Sequence, residues 1–142
     1  MLKNPGFWLL FFLLIINIVL GFVFDFYSKF WFFDSILHFS GGLGVALFAR
    51  YYFAKDLKNI SRFGSLVFLV SFGAAVGVFW EFLEYGISVI SKWTAGSLND
   101  IDFLGDVEDT VSDLLMDTLG AFVVAVLHFF RQRKAEKTQT VS

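Results

Sequence analysis

The chain has 142 residues, of which 57% are hydrophobic and 21 are phenylalanine, more apolar surface than a soluble domain of this length can use. It contains no cysteine, so disulfides, thiolate-bound zinc or haem and iron–sulfur clusters are excluded. Its net charge is −2 and its basic residues are scattered near the ends of apolar segments, which argues against a nucleic acid partner.

Four apolar segments have the length of about 20 residues that a helix needs to cross the hydrocarbon core of a bilayer. They lie at roughly residues 7–24, 35–53, 63–90 and 111–130. The sequence therefore predicts an all-α polytopic membrane protein, a four-transmembrane-helix bundle forming a single transmembrane domain over residues 1–142. The first segment is too long for the apolar region of a signal peptide, and no small-x-small cleavage site follows it, so we expect it to be retained.

The basic residues predict the orientation of the bundle, because Lys and Arg concentrate on the cytoplasmic side of membrane proteins. Four spans place the N-terminus, the loop between the second and third spans, and the C-terminus on one side. Nine of the eleven basic residues lie there: Lys3, Arg50, Lys55, Lys58, Arg62, Arg131, Arg133, Lys134 and Lys137. We expect a multi-pass protein of the cell membrane with both termini cytoplasmic and residues 131–142 as a basic cytoplasmic tail.

Seven ionisable side chains lie inside or at the outer mouth of the second, third and fourth spans, at helical spacing. They are Asp34, His38, Glu81, Glu84, Asp109, Asp113 and Asp117. A carboxylate in hydrocarbon costs roughly 2.5 kcal/mol or more, so such a group is a functional-site hypothesis by default. The stripe on the fourth span would include Asp106 if that helix began early, and it continues to Gly120, where a small residue lets a neighbouring helix approach closely.

The chemistry of this cluster follows from the lack of Lys or Arg at the same depth. Carboxylates without basic partners must share protons or bind a cation. Oxygen ligands suit Mg²⁺, Mn²⁺ or Ca²⁺, and a histidine ligand adds Fe²⁺ and Zn²⁺. The predicted metal ligands are Glu81, Glu84, Asp109, Asp113, Asp117 and His38, with Asp106 as a further candidate, and the candidate catalytic residues are His38, as ligand or general base, and Asp34.

Several functions fit such a site. One is a metal-dependent membrane enzyme that acts on a lipid-linked phosphate or another amphiphile at the outer leaflet. The alternatives are a transport protein that binds a cation or protons, and a polar structural core without catalysis. The cytoplasmic halves of the spans carry no acidic residue, which argues mildly against a continuous polar path. Membrane lipid and a lipid-like small molecule are the expected partners, and the pattern is compatible with a homo-oligomer.

The remaining polar and aromatic residues of the spans are expected to have structural roles. Asn17 is the polar residue in the core of the first span, which we expect to be a lipid-facing wrapper. His128, near the cytoplasmic end of the fourth span, is expected to be interfacial. The tryptophans are expected to be mostly interface anchors or lipid-facing surface; they are Trp8, Trp31, Trp80 and Trp93.

Three sequence blocks occur in a fixed order. They are Asp34-x-x-x-His38-Phe39-x-x-Gly42, Trp80-Glu81-x-x-Glu84-Tyr85 and Phe103-Leu104-Gly105-Asp106-x-x-Asp109-Thr110-x-x-Asp113-x-x-x-Asp117. Their order and spacing resemble the YjdF-like family of small integral membrane proteins, over roughly residues 34–121. Members of that family commonly have additional helices. The resemblance implies that the acids matter without naming their task. The first block and the late Asp-x-x-x-Asp-x-x-Gly are more loosely similar to VanZ-like proteins, which are associated with glycopeptide resistance.

The unequal distribution of Lys and Arg between the two sides predicts an orientation that can be tested directly. Reporter fusions at the C-terminus and in the loop around residues 54–62 should report a cytoplasmic location, because nine of the eleven basic residues lie on that side. A fusion in the loop between the third and fourth spans is the control and should report the opposite side. A C-terminus found outside would place the acidic cluster at the cytoplasmic face.

Overall fold

The computed structural model describes residues 2–94 and 107–139, and almost all of these residues are helical. Five α-helices occur in this part of the chain, together with a π-helical segment at Asn17–Val23 and a 3₁₀ turn at Asp56–Lys58. The α-helices are α1 (Pro5–Ile16), α2 (Phe26–Lys29), α3 (Phe33–Tyr52), α4 (Arg62–Thr94) and α5 (Val107–Gln139). The all-α class is confirmed, and no strand occurs within the described ranges.

The start of α1 is tied to the end of α3 by one side chain. Asn4 caps α1, since its Oδ1 accepts from the backbone N–H groups of Gly6 and Phe7, and Pro5 occupies the first helical position, where its missing N–H costs no hydrogen bond. The Asn4 amide in turn donates from Nδ2 to the carbonyl of Phe48 on α3 at 3.1 Å. This bond sets the height at which α1 lies along the bundle.

The central helix is α3, which packs against α1, α4 and α5. Its approach to α5 depends on two glycines. A Cβ placed on Gly42 would collide with the carbonyl oxygen of Asp117, and one placed on Gly120 would collide with the carbonyl oxygen of Phe39. The expected close approach at Gly120 is therefore confirmed. It brings the backbones of α3 and α5 together at the level of the acidic residues.

The buried core lies between the acidic level and the opposite end of the bundle. Ala46 on α3 packs with Ala121 and Val124 on α5, and a second cluster follows around Leu69 and Ala125. By contrast, large apolar side chains on the outer faces are exposed. Examples are Phe79, Phe82 and Ile90 on α4 and Phe122 and Leu127 on α5. An apolar exterior around a small-residue interior is what helix packing in lipid requires.

Length and composition mark two of the described helices as able to cross a membrane, over Arg62–Ile90 and Val107–Arg133, and Pro5–Gly21 as a shorter apolar helix. α3 has 20 residues but carries Asp34, His38 and Arg50, so it is outside that class. The helices match the predicted spans within a few residues at most ends, although α5 continues to Gln139 through the predicted tail. The crossing of the membrane by all four stays a prediction.

The close approach of α3 and α5 can be tested with paired alanine substitutions. Gly42→Ala should lower the stability of the protein in detergent by about 1–3 kcal/mol, the usual cost of overpacking, because its Cβ would meet backbone rather than a flexible side chain. Gly86→Ala is the matched control, since an added Cβ there meets no described atom within 4 Å. Thermal unfolding measures both. Equal effects would show that the contact contributes little.

Candidate metal centre

The imidazole of His38 lies at the centre of the acidic cluster. Its side chain contacts a carboxylate on its own helix and three on two other helices. The distances are 3.1 Å from Nδ1 to Asp117 Oδ2, 3.9 Å from Nδ1 to Glu81 Oε1, 3.6 Å from Nε2 to Asp34 Oδ1 and 4.0 Å from Nε2 to Asp113 Oδ2. His38, Glu81, Asp113 and Asp117 are each at most 7% exposed. Acidic residues from three helices therefore converge on this one imidazole.

The helical spacing of the acids explains why they share one site. Residues three or four apart lie on the same helix face, so Asp34 joins His38 on α3 and Asp113 joins Asp117 on α5. Gly77 on α4 admits the Asp117 carboxylate, since a Cβ at Gly77 would lie 2.5 Å from Asp117 Oδ2. The small residue lets α4 close over the carboxylate that touches the imidazole.

The two ring nitrogens of His38 have different environments. At 3.1 Å, Nδ1 lies at hydrogen-bond distance from the Asp117 carboxylate, which accepts when ionised, so Nδ1–H is the donor. Nε2 faces Asp34 and Asp113. A histidine that binds a metal through one nitrogen commonly donates from the other to a carboxylate. The contact with Asp117 thus orients Nε2 toward the other two acids.

Two groups of side chains have the spacing of metal ligands. Asp34, His38 and Asp113 offer ligand atoms that all lie within 4.8 Å of one another. Ligands bonded at about 2.0–2.2 Å to one ion are separated by roughly 3–4.3 Å, so the 3.6 Å and 4.0 Å separations at Nε2 need little adjustment. His38, Glu81 and Glu84 form the second group.

One buried oxygen of the cluster lacks a hydrogen bond. Glu81 Oε1 is inaccessible and has no hydrogen-bond partner among the described residues. A buried acceptor without a partner is costly, and a bound cation or proton would satisfy it. Glu84, by contrast, has a hydrogen-bond donor, because its Oε1 accepts from Trp80 Nε1 at 2.8 Å. Glu81 Oε1 and the buried Thr110 hydroxyl, which also has no hydrogen-bond partner among the described residues, are therefore the atoms here that a ligand would satisfy.

A cavity of about 270 Å³ opens beside the cluster, between α1, α3 and α4. Its apolar walls are formed by six side chains of these helices: Leu10, Leu13, Leu14, Leu37, Val45 and Val76. Its polar end is formed by Asn17, Asp34, His38, Glu84 and Asp117. The cavity thus pairs a polar end with an apolar channel.

Two predicted ligands lie apart from this constellation. Asp109 is exposed in the first turn of α5, one turn before Asp113, at the rim of the site. Asp106 lies outside the described residues. The role of each predicted residue as a metal ligand, including those that the structure brings together, stays a prediction.

Asn17 and Trp80 each line the cavity, which was not predicted from the sequence. Asn17, the first residue of the π-helical segment, does so together with Leu13 and Leu14 of α1, so the first apolar segment forms a wall of the site as well as an exposed outer face. Trp80 is 37% exposed, in agreement with a surface position, and it also lines the cavity and donates to Glu84. The spacing of four residues between Trp80 and Glu84 could have indicated their contact.

The helical fold, the apolar exterior and the buried histidine–carboxylate cluster together define an all-α membrane protein with a polar site inside the bundle. The chain belongs to the family described as "Predicted membrane protein (DUF2238)", which matches residues 2–134. The resemblance to the YjdF-like family is thereby confirmed, whereas the looser similarity to VanZ-like proteins stays a prediction.

A Thermotoga maritima protein, described as an uncharacterized protein, is 32% identical over 112 residues. The match covers 75% of this chain and 53% of the relative, so the chain spans about half the length of that protein. No solved structure matches the chain.

The different roles of two buried acids can be separated by substitution. Asp117→Ala should destabilise the metal-free protein by about 1–3 kcal/mol, because it leaves the buried Nδ1–H of His38 without its acceptor. Glu81→Gln should leave it as stable or more so, because it removes a negative charge from a crowded group of acids. Thermal unfolding in detergent with a chelator measures both variants. A larger loss for Glu81→Gln than for Asp117→Ala would contradict this division of roles.

Proposed function

We propose that this membrane protein binds a divalent metal ion within the bundle and uses it to act on an amphiphile, such as a lipid-linked phosphate, held in the adjacent cavity. The observation that carries the proposal is the placement of one imidazole among carboxylates from three helices, beside a buried and unpartnered Glu81 oxygen. The proposed ion is bound by His38 Nε2, Asp34 and Asp113, and Asp117 positions the ring.

The ligand set narrows the choice of ion. One nitrogen and two carboxylate oxygens suit Mn²⁺, Fe²⁺ or Zn²⁺, and Mg²⁺ remains compatible through its preference for oxygen. Three protein ligands leave positions open for water or a phosphate oxygen, as a catalytic site requires. Glu81 and Glu84, on the neighbouring helix, are placed to bind a second ion or to accept a proton from a nucleophile.

The lining of the cavity supports the proposal that the ligand is an amphiphile. Its leucine and valine walls would take an apolar chain, and its polar end would bring the attached head group to His38 and Asp34. The site and the entrance for its substrate would then lie in the same half of the membrane. With the orientation proposed from the basic residues, this is the outer half.

The layer beneath the cluster favours a binding site over a transport pathway. Ala46, Ala121 and Val124 are buried there, with Leu69 and Ala125 further along. These apolar side chains separate the acidic level from the opposite end of the described bundle. An ion or proton that enters from the acidic end meets hydrocarbon beyond it, so transport is the weaker candidate.

Metal binding predicts a stabilisation that depends on ligand concentration. A ligand bound only by the folded state stabilises by RT ln(1 + [L]/Kd), about 2.7 kcal/mol at 100 times Kd. Addition of Mn²⁺ or Zn²⁺ to the chelator-treated protein should therefore raise its melting temperature. Asp113→Asn should abolish the rise, whereas Asp56→Asn, the same change at an exposed residue in the 3₁₀ turn, should leave it intact.

A cavity-filling variant tests the amphiphile separately. Leu13→Trp narrows the apolar channel without changing a proposed ligand, so the metal-induced rise should persist while co-purified lipid, identified by mass spectrometry of extracts, decreases. If no divalent ion shifts the melting temperature, a protonated structural core is the better account. A metal shift with unchanged lipid in Leu13→Trp would retain the metal site and reject the cavity as the binding place.

A further inference from the structure

A second cavity lies at the end of the bundle opposite the acidic cluster. It has a volume of about 420 Å³ and is lined by the end of α3, the turn that follows and the late part of α5. Arg50 on its wall follows His38 by 12 residues along α3, which corresponds to about 18 Å. The basic residues Arg50, Lys58 and Arg131 line it, and no acidic residue of the described part does. This site is therefore separate from the proposed metal centre.

The hydrogen bond between Arg50 and His128 fixes the proton on the imidazole. Arg50 Nε donates to His128 Nδ1 at 3.2 Å, and an arginine nitrogen cannot accept. Nδ1 must therefore be unprotonated, and the proton of the neutral ring lies on Nε2. That Nε2 is buried and has no hydrogen-bond partner among the described residues. His128 was expected to be interfacial, and the structure adds that its Nε2–H is a buried donor without an acceptor among the described residues.

The neighbouring side chains hold this arrangement in place. Gln132 lies one turn after His128 and donates from Nε2 to the carbonyl of Leu57 at 3.1 Å. Leu57 is 2% exposed, and Ser65 Oγ donates to the same carbonyl at 3.2 Å. Because these bonds join α5 to the turn after α3 and to α4, the wall of the cavity that carries His128 is built into the fold.

The positive charges around the cavity have no carboxylate partner among the described side chains of residues 2–90 and 107–133. No carboxylate of these ranges lies within 4.0 Å of the cationic groups of Arg50, Lys58 or Arg131. The guanidinium groups of Arg50 and Arg131 and the ammonium group of Lys58 are therefore the charged donors of this cavity, and Gln132 Oε1 is a buried acceptor of its wall. The other lining residues include Leu47, Tyr51 and Ala54, so an apolar surface lies next to the donors.

We infer that this cavity binds the phosphate group of an anionic phospholipid. Guanidinium groups match phosphate oxygens in geometry and charge, so Arg50 and Arg131 would bind the phosphate, and the bond from Arg50 Nε to His128 holds the Arg50 guanidinium in place. Leu47 and Ala54 would contact the glycerol and the first part of the acyl chains. The position at the end of apolar helices places the phosphate at head-group level, where basic residues attract anionic lipids.

The experiment uses the full chain, purified in detergent and stripped of lipid. Phosphatidylglycerol should bind, as measured by native mass spectrometry and by a rise in melting temperature, and phosphatidylcholine should bind at least tenfold more weakly. Arg131→Gln, a change at an exposed side chain, should weaken phosphatidylglycerol binding by about tenfold, the usual effect of losing one charged hydrogen bond. Arg50→Gln should do at least as much, since it also releases His128.

The matched control is Arg133→Gln, which removes the same charge from an exposed residue of the same helix outside the cavity. It should leave phosphatidylglycerol binding unchanged. An equal loss in Arg133→Gln and Arg131→Gln would overturn the site and indicate diffuse attraction. Inorganic phosphate that competes at low millimolar concentration would show a phosphate site but overturn the lipid as its occupant. An unchanged melting temperature of the lipid-free Arg131→Gln protein verifies that a loss of binding is not a loss of folding.

Discussion

The rest of the structure depends on the solvation of carboxylates where water is scarce. An acid inside a membrane must be neutralised, paired or bound to a cation, because hydrocarbon offers its charge no partner. Here the requirement is met jointly, since Asp34, Glu81, Asp113 and Asp117 all lie within 4.0 Å of one imidazole. Three helices can supply these groups only if their backbones approach closely, which explains the glycines at the same level.

The two ends of the bundle carry opposite excesses of charge. At one end, an excess of acids surrounds a histidine and leaves a Glu81 oxygen unpartnered. At the other, arginines surround a histidine and leave a nitrogen of His128 unpartnered. An apolar layer around Ala46 and Val124 separates the two, so each end must be satisfied by what reaches it from its own side of the membrane. Proposing a cation for one and an anion for the other follows from this separation.

Much of this arrangement was predictable from the sequence. The lengths of the apolar segments predicted the helices. Spacings of three and four residues placed Asp34, Glu81 and Asp113 on helix faces at a common depth. Residue periodicity does not specify which helices are neighbours, so it could not pair His38 with Asp117 or Arg50 with His128 across 79 and 78 residues of sequence. The position of Asn17 in the wall of the cavity was unpredictable for the same reason. An isolated polar residue in an apolar span carries no information about which side of the helix meets the bundle.

The two histidines differ in a way that reaches beyond binding. With Asp117 ionised, the Nδ1 atom of His38 carries a hydrogen and donates to it, whereas in His128 the Nδ1 atom is bare and accepts from Arg50. The chain contains no other histidine. Isotope labelling confined to the Nδ1 position of histidine would therefore give one signal from a protonated nitrogen and one from a bare nitrogen, one from each end of the molecule. Each end of the protein thus carries its own spectroscopic reporter, already built into the native sequence.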